Sequence, residues 1–195
     1  MFSALLKQQP YYEVIVSDSQ ILFGNPDARL RITILTNPFC NPCAKMHKRL
    51  DEFQKDTKTG ETGRNESNAL NRESNVCIQY IFSSFNEDLV YANRYFISIY
   101  LAKGKDVAWK LYSDWFERGK ALKEDYFKSQ PWIMEIMDNP EIKIAIEVEF
   151  QKHESWKEKT QLRATPTIIV NGYKMPDNYK IEDLCYFTEF NFEVK

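Results

Sequence analysis

The chain predicts an α/β domain: a central mixed sheet flanked by helices, with a block of helices inserted between two of its strands. Three stretches carry that expectation. An apolar, alternating run over residues 30–35 ends at Asn37-Pro38-Phe39-Cys40-Asn41-Pro42-Cys43-Ala44-Lys45-Met46-His47 and passes there into helical spacing. Residues 87–159 keep a helical period throughout. Sheet character then resumes at Thr165-Pro166-Thr167-Ile168-Ile169-Val170, followed by Asn171-Gly172, a strong hairpin signal.

Taken in order, Tyr11-Tyr12-Glu13-Val14-Ile15-Val16 is expected as an edge strand, and Gly24-Asn25-Pro26-Asp27 as a turn. Arg31 to Thr36 alternates and is expected to be the strand that delivers the cysteines. Cys43, Met46, Leu50 and Phe53 share one helical face, opposite Lys45, Lys48, Arg49, Asp51, Glu52 and Lys55. Residues 56–75 hold almost no core-forming side chain and are expected to form an exposed loop. Val76 to Phe82, rich in β-branched and aromatic residues, is expected as a central strand. In the helical block, Ala92, Tyr95, Phe96 and Ile99 mark one helix that Gly104 ends, and Ala108, Leu111, Tyr112 and Trp115 mark a second ending near Gly119. Ser129 and Pro131 open a third, and Asn139 with Pro140 caps a fourth that runs to about Trp156. Beyond the hairpin return at Tyr173 to Met175, Ile181, Leu184, Cys185 and Thr188 mark a closing helix. The whole of 1–195 reads as a single domain with its insertion over about 87–160.

With 195 residues, 43% apolar, 28% charged and a net charge of −2, the composition is that of an ordinary globular chain. That balance gives no electrostatic case for nucleic acid or acidic lipid. No apolar run reaches the roughly 18 residues of a spanning helix. Met1-Phe2-Ser3-Ala4-Leu5-Leu6-Lys7 lacks the basic start and apolar core of a signal peptide. Four cysteines are too few and too unevenly spaced for a disulfide framework, so Cys77 and Cys185 read as small buried apolar residues, with a bond between them as the alternative.

Cys40 and Cys43 carry the chemistry. At a helix N-terminus the first thiol faces unpaired N–H groups and the positive end of the helix dipole, which favour the thiolate. The second, one turn on, can close a disulfide with it. Cys40 is therefore read as the attacking thiol and Cys43 as the resolving one, with Asn41 and Pro42 between them shaping the substrate-facing surface. Half a zinc site is the competing reading of the pair, with His47 as a third ligand. His47 is otherwise a packing residue close enough to influence the thiols.

The order strand, Cys-Asn-Pro-Cys, helix, strand, helical block, Thr-Pro, strand, Asn-Gly, strand, helix resembles the thioredoxin superfamily, with a helical insertion of the DsbA kind. The resemblance is carried by residues 24–54 and 161–188, and is nearest to thioredoxin-like domains that accompany bacterial vitamin K epoxide reductase homologues. It implies a thiol–disulfide oxidoreductase of thioredoxin fold that needs no cofactor and acts on protein cysteines. It also implies a membrane-bound redox partner like the epoxide reductase homologues, and a place in the cell envelope or periplasm. Carried over residue by residue, Pro166 matches the proline whose preceding bond is cis and which sits against the cysteines. Thr165 then presents its backbone to an extended substrate. One departure stands out: where relatives carry a buried acid six residues before the first cysteine, this chain has Ile34. Asn41-Pro42 leaves the direction of electron flow open. The alternatives are a redox-silent polypeptide-binding module of the same fold, or a metal-binding or delivery protein using Cys40, Cys43 and His47.

Overall fold

A computed structural model describes residues 5–59 and 76–186. Five strands form one mixed sheet: β1 (Leu22–Gly24), β2 (Leu30–Thr36), β3 (Val76–Phe82), β4 (Thr167–Val170) and β5 (Tyr173–Lys174), in the order β1-β3-β2-β4-β5. β2 runs parallel to β3 and antiparallel to β4; the register sets Ile34 beside Tyr80 and Thr36 beside Phe82. Between β2 and β3 the chain forms α1 (Asn41–Thr59). The expected loop over 56–75 therefore starts no earlier than residue 60, and 60–75 lie outside the described residues.

The insertion comprises α2 (Tyr91–Lys103), α3 (Lys105–Asp114), a π-helical turn Trp115–Gly119 with a last turn Lys120–Leu122, α4 (Glu124–Lys128), α5 (Pro131–Asp138) and α6 (Pro140–Thr160). Gly104 ends α2 with φ 78°, and the Asn139 side chain accepts the Glu141 and Ile142 N–H groups at the start of α6, both as the sequence predicts. Ser129 does not open the third helix. It closes α4, a short helix whose burial of Tyr126 and Phe127 has too few turns to show as a period.

Side chains alternate across the sheet. Ile32, Ile34, Ile78, Tyr80 and Phe82 face the larger core with Met46, Leu50 and Phe53 of α1 and the aromatic residues of the insertion. Leu35, Ile81 and Ile169 face the other way onto Trp156 of α6.

Two expectations at the edges are corrected. Residues 11–16 are not a strand: Tyr11 makes a single bridge to Tyr173, and the following residues are drawn inward by side chains instead. Buried Gln79 donates to the carbonyls of Ile15, Val16 and Ser19, and Trp156 to that of Glu13. The true first strand is β1, too short for alternation to reveal. Gly24 closes it at φ +98°, where an added Cβ would lie 2.2 Å from the Val76 carbonyl oxygen. The closing segment Ile181–Tyr186 is 3₁₀ rather than α-helical, and Thr188 lies outside the described residues.

Past the end of β1, the outer edge of β3 is satisfied by side chains. Ser19 Oγ donates to the Tyr80 carbonyl at 2.7 Å, and His153 Nδ1 accepts the Phe82 N–H at 3.2 Å. His153 Nε2 lies 2.9 Å from Ser19 Oγ and 3.3 Å from Glu149 Oε1. Glu149 is fully buried; burial would raise its pKa, but His153, the Gln20 N–H and Lys152 outweigh that and hold it down at about 2. The insertion is thereby pinned to the sheet by polar contacts.

Candidate active site

β2 ends at Thr36, and the chain turns sharply into α1. Asn37 Oδ1 accepts the Phe39 N–H at 2.9 Å and its carbonyl accepts the Cys40 N–H at 3.1 Å, closing the turn locally. Trp115, fully buried in the insertion, donates its indole N–H to the Pro38 carbonyl at 2.8 Å, and Phe39 packs edge-on against its ring. The turn that presents the cysteines is thus held from the insertion as well as from the sheet.

Cys40 occupies the N-cap of α1. Its sulfur accepts the Cys43 N–H at 3.1 Å, taking the place usually filled by a serine or aspartate oxygen. Pro42 sits in the first turn, where it withholds no needed donor. Cys40 is half-buried, Asn41 and Pro42 are exposed, and Cys43 is buried. Lys120 reaches from the insertion to the Asn41 side chain.

Cys43 is held as a thiol. Burial raises its pKa first; the hydrogen bond and charge of Cys40 add to this, and the Asn37 N–H and Thr36 hydroxyl offset part of it, leaving it at about 12. The Asn37 N–H lies 3.5 Å from its sulfur. The cysteines therefore differ in kind: Cys40 is half-buried at the surface, and Cys43 is buried behind it.

On the opposite side, the Thr165–Pro166 bond is cis, and the Cys40 thiol donates to the Thr165 carbonyl at 3.4 Å. Residues separated by 125 positions meet at one sulfur. Thr165 and Pro166 are both partly exposed.

His47 lies deeper. Its Nδ1 is 2.7 Å from the Tyr80 hydroxyl and its Nε2 3.0 Å from Ser113 Oγ, so both ring nitrogens are engaged. Burial brings its pKa down to about 4, against a small opposing pull from Asp51. Among the described residues no three His, Cys, Asp or Glu side chains stand close enough to hold a metal ion together. Cys77 is a free, buried thiol, which leaves no bond from it to Cys185.

Thr36, Asn37, Tyr80 and Trp115 also belong to this site, and the sequence reading did not pick them out. Asn37, two residues before a turn amide, had a legible signal. The others reach the cysteines only through strand register and helix docking.

A strand-to-helix cysteine pair facing a cis-proline loop, on a five-stranded mixed sheet with a helical insertion, defines the DsbA-like class of thioredoxin fold. The chain belongs to the thioredoxin family: the family model described as thioredoxin matches residues 17–188. No curated protein matches it. Among solved structures it is similar to oxidised BdbD from Bacillus subtilis, with a TM-score of 0.67, 16% identity, and 93% of this chain and 96% of that one covered. It is similar to the thiol-disulfide exchange protein alpha-DsbA2 from Wolbachia pipientis at a TM-score of 0.64, with 9% identity and 86% and 84% covered. It also resembles the oxidoreductase NmDsbA1 from N. meningitidis at a TM-score of 0.56, with 14% identity and 84% and 83% covered. At these identities the likeness is one of fold.

Proposed function

We propose that the protein is a thiol–disulfide oxidoreductase that exchanges disulfides with protein cysteines through Cys40 and Cys43. One observation carries the reading. The half-exposed Cys40 sulfur accepts the Cys43 N–H on one side and touches the Thr165 carbonyl on the other, with Cys43 buried one turn behind it. Two solved neighbours are named for this chemistry, one as a thiol-disulfide exchange protein and one as an oxidoreductase.

In the reducing direction the Cys40 thiolate attacks one sulfur of a substrate disulfide. A Cys40–substrate bond forms as the substrate S–S bond breaks, and the electron pair leaves with the other substrate sulfur. Cys43 gives up its proton and attacks Cys40, releasing the second substrate thiol. The substrate gains two electrons and the cysteine pair loses them; the reverse sequence makes disulfides. Thr165 offers its backbone to an extended substrate strand, and Asn41 and Pro42 line the approach.

The reading extends to the cell envelope and to a membrane-bound redox partner of the vitamin K epoxide reductase kind, on the resemblance in the sequence. Among the described residues no helix is long and apolar enough to cross a membrane.

The test is turnover of a protein disulfide with dithiothreitol. Wild type is expected to accelerate it and Cys40→Ser to abolish the acceleration; equal rates for the two would remove the enzymatic reading and leave a binding module. Cys43→Ser is expected to accumulate a mixed disulfide on Cys40, and in whole cells that trapped species identifies the partner.

A further inference from the structure

We propose that Lys120 selects polypeptide substrates that carry a carboxylate beside the reacting cysteine, a proposal that rests on the exchange reading above. Lys120 follows the π-helical turn of the insertion and is half-buried. Its ammonium donates to the Asn41 side-chain oxygen, one residue from Cys40.

The local helix geometry is what brings Lys120 to this place. On an α-helix of 3.6 residues per turn, residues five apart stand about 140° from one another. Across Trp115–Gly119 the Lys120 N–H instead bonds the Trp115 carbonyl, five residues back, which sets Lys120 over Trp115. The two side chains then meet the cysteine turn at two points. The Trp115 indole N–H donates to the Pro38 carbonyl at 2.8 Å, and the Lys120 ammonium donates to Asn41. Pro38 and Asn41 bracket Cys40. Trp115 is the buried anchor, and Lys120 lies at the rim beside exposed Asn41.

Anchoring alone would be served by a neutral donor. An ammonium has three N–H donors, and Asn41 takes one. Among the described residues Lys120 pairs with no carboxylate. Asp114 is engaged by Arg118 and the Tyr126 hydroxyl, Glu124 by Lys128, and exposed Glu117 forms no ion pair. Lys45, one turn beyond Asn41 on α1, is exposed and also unpaired among the described residues, and it extends the positive rim. The chain as a whole carries a net charge of −2, so this rim is a local feature of the site.

A substrate sulfur that reaches Cys40 brings its neighbouring residues past Asn41. Successive residues of an extended segment advance about 3.3 Å. A carboxylate within two residues of the substrate cysteine therefore reaches the remaining Lys120 donors and forms a charge-assisted hydrogen bond. A lysine at that position meets like charge. Lys120 takes no part in the sulfur chemistry, which proceeds as written above.

The experiment uses three two-cysteine peptides, identical except for Glu, Gln or Lys next to each cysteine. Reduced protein is mixed with the disulfide peptides and oxidised protein with the dithiol peptides. Samples are quenched in acid, and the second-order rate is read by chromatography. Each rate is divided by that of the same peptide with dithiothreitol or hydroxyethyl disulfide, uncharged reagents that report the peptide's own reactivity. Taking the ratio of Glu to Lys peptide also cancels any change in Cys40 that affects all substrates alike. Wild type is expected to favour the Glu peptide about tenfold at low salt and to lose most of that preference at about 1 M sodium chloride. Lys120→Gln is expected to lower the ratio about fivefold, and Lys120→Glu to bring it below one. Lys120→Arg keeps the charge and should retain the ratio, as should Lys143→Gln, which removes an exposed cation on α6. A wild-type ratio near one, a ratio unmoved by salt, or a ratio that survives in Lys120→Gln or falls equally in Lys143→Gln overturns the role of Lys120 and leaves exchange standing. A wild type that exchanges with none of the peptides in either direction overturns the exchange reading itself.

Discussion

Cys40 and Cys43 are the same residue type two positions apart, and their surroundings give them opposite properties. Cys43 is buried and held as a thiol with a pKa raised to about 12, chiefly by that burial. Iodoacetamide at pH 7.5 is therefore expected to label Cys40 in the reduced protein and to modify Cys43 at least a hundredfold more slowly, as peptide mapping by mass reads directly. His47 sets a second residue-scale expectation. Its folded pKa of about 4 lies below the unfolded value near 6.5, so the unfolded state binds the proton first as pH falls. The stability that neutral His47 contributes is complete above pH 6.5 and is lost progressively between 6.5 and 4, a difference of about 3 kcal/mol. Urea denaturation across that window should show the slope in wild type and a flatter dependence in His47→Gln; parallel curves would contradict a buried, neutral imidazole.

Among the elements, helix boundaries were the most legible part of the chain. Asn139-Pro140, Gly104 and Asn171-Gly172 act through their own backbone and side chains, so the sequence places them without knowing the fold. Asn139→Ala is expected to cost about 1 kcal/mol, because it strips the acceptor from the Glu141 and Ile142 N–H groups. Gly119 was expected as an ending, but the chain stays helical through it to Leu122, and its place is set by a close contact instead. An added Cβ would lie 2.7 Å from the Tyr126 ring and 2.9 Å from the Trp115 ring, both in the core. Gly119→Ala should destabilise by about 1–3 kcal/mol, measured by denaturant midpoint, and through Trp115 it should also loosen the turn that carries Cys40. Short elements were illegible for the converse reason: β1 and α4 complete too few periods to stand out. Residues 11–16 have the aromatic and β-branched content of an edge strand, yet the Gln79 amide takes the carbonyls of Ile15 and Val16, and no local pattern could reveal a side chain on a distant strand.

At the scale of the whole molecule, the question is what keeps the insertion on the sheet. The buried Ser19–His153–Glu149 group does so by meeting unpaired backbone groups of β3 and the Gln20 N–H. Removing His153 takes a hydrogen-bond partner from buried Glu149, from Ser19 Oγ and from the Phe82 N–H. His153→Leu is expected to cost about 1–3 kcal/mol in equilibrium denaturation. A loss below about 1 kcal/mol would mean that apolar packing alone holds the two parts together.

By itself the sequence determined the strand-turn-helix around Cys40 and Cys43, the place of the helical block and the Thr165-Pro166 turn, because each follows from short-range periodicity, caps and the special geometry of proline and glycine. The tertiary structure decided what these parts do to one another. It brought the Thr165 carbonyl to the Cys40 sulfur, buried Cys43 but not Cys40, and set His47 between the Tyr80 and Ser113 hydroxyls. Those outcomes depend on strand register and helix docking between residues far apart in the chain, where desolvation and hydrogen-bond geometry, rather than local propensity, set the energy of each group.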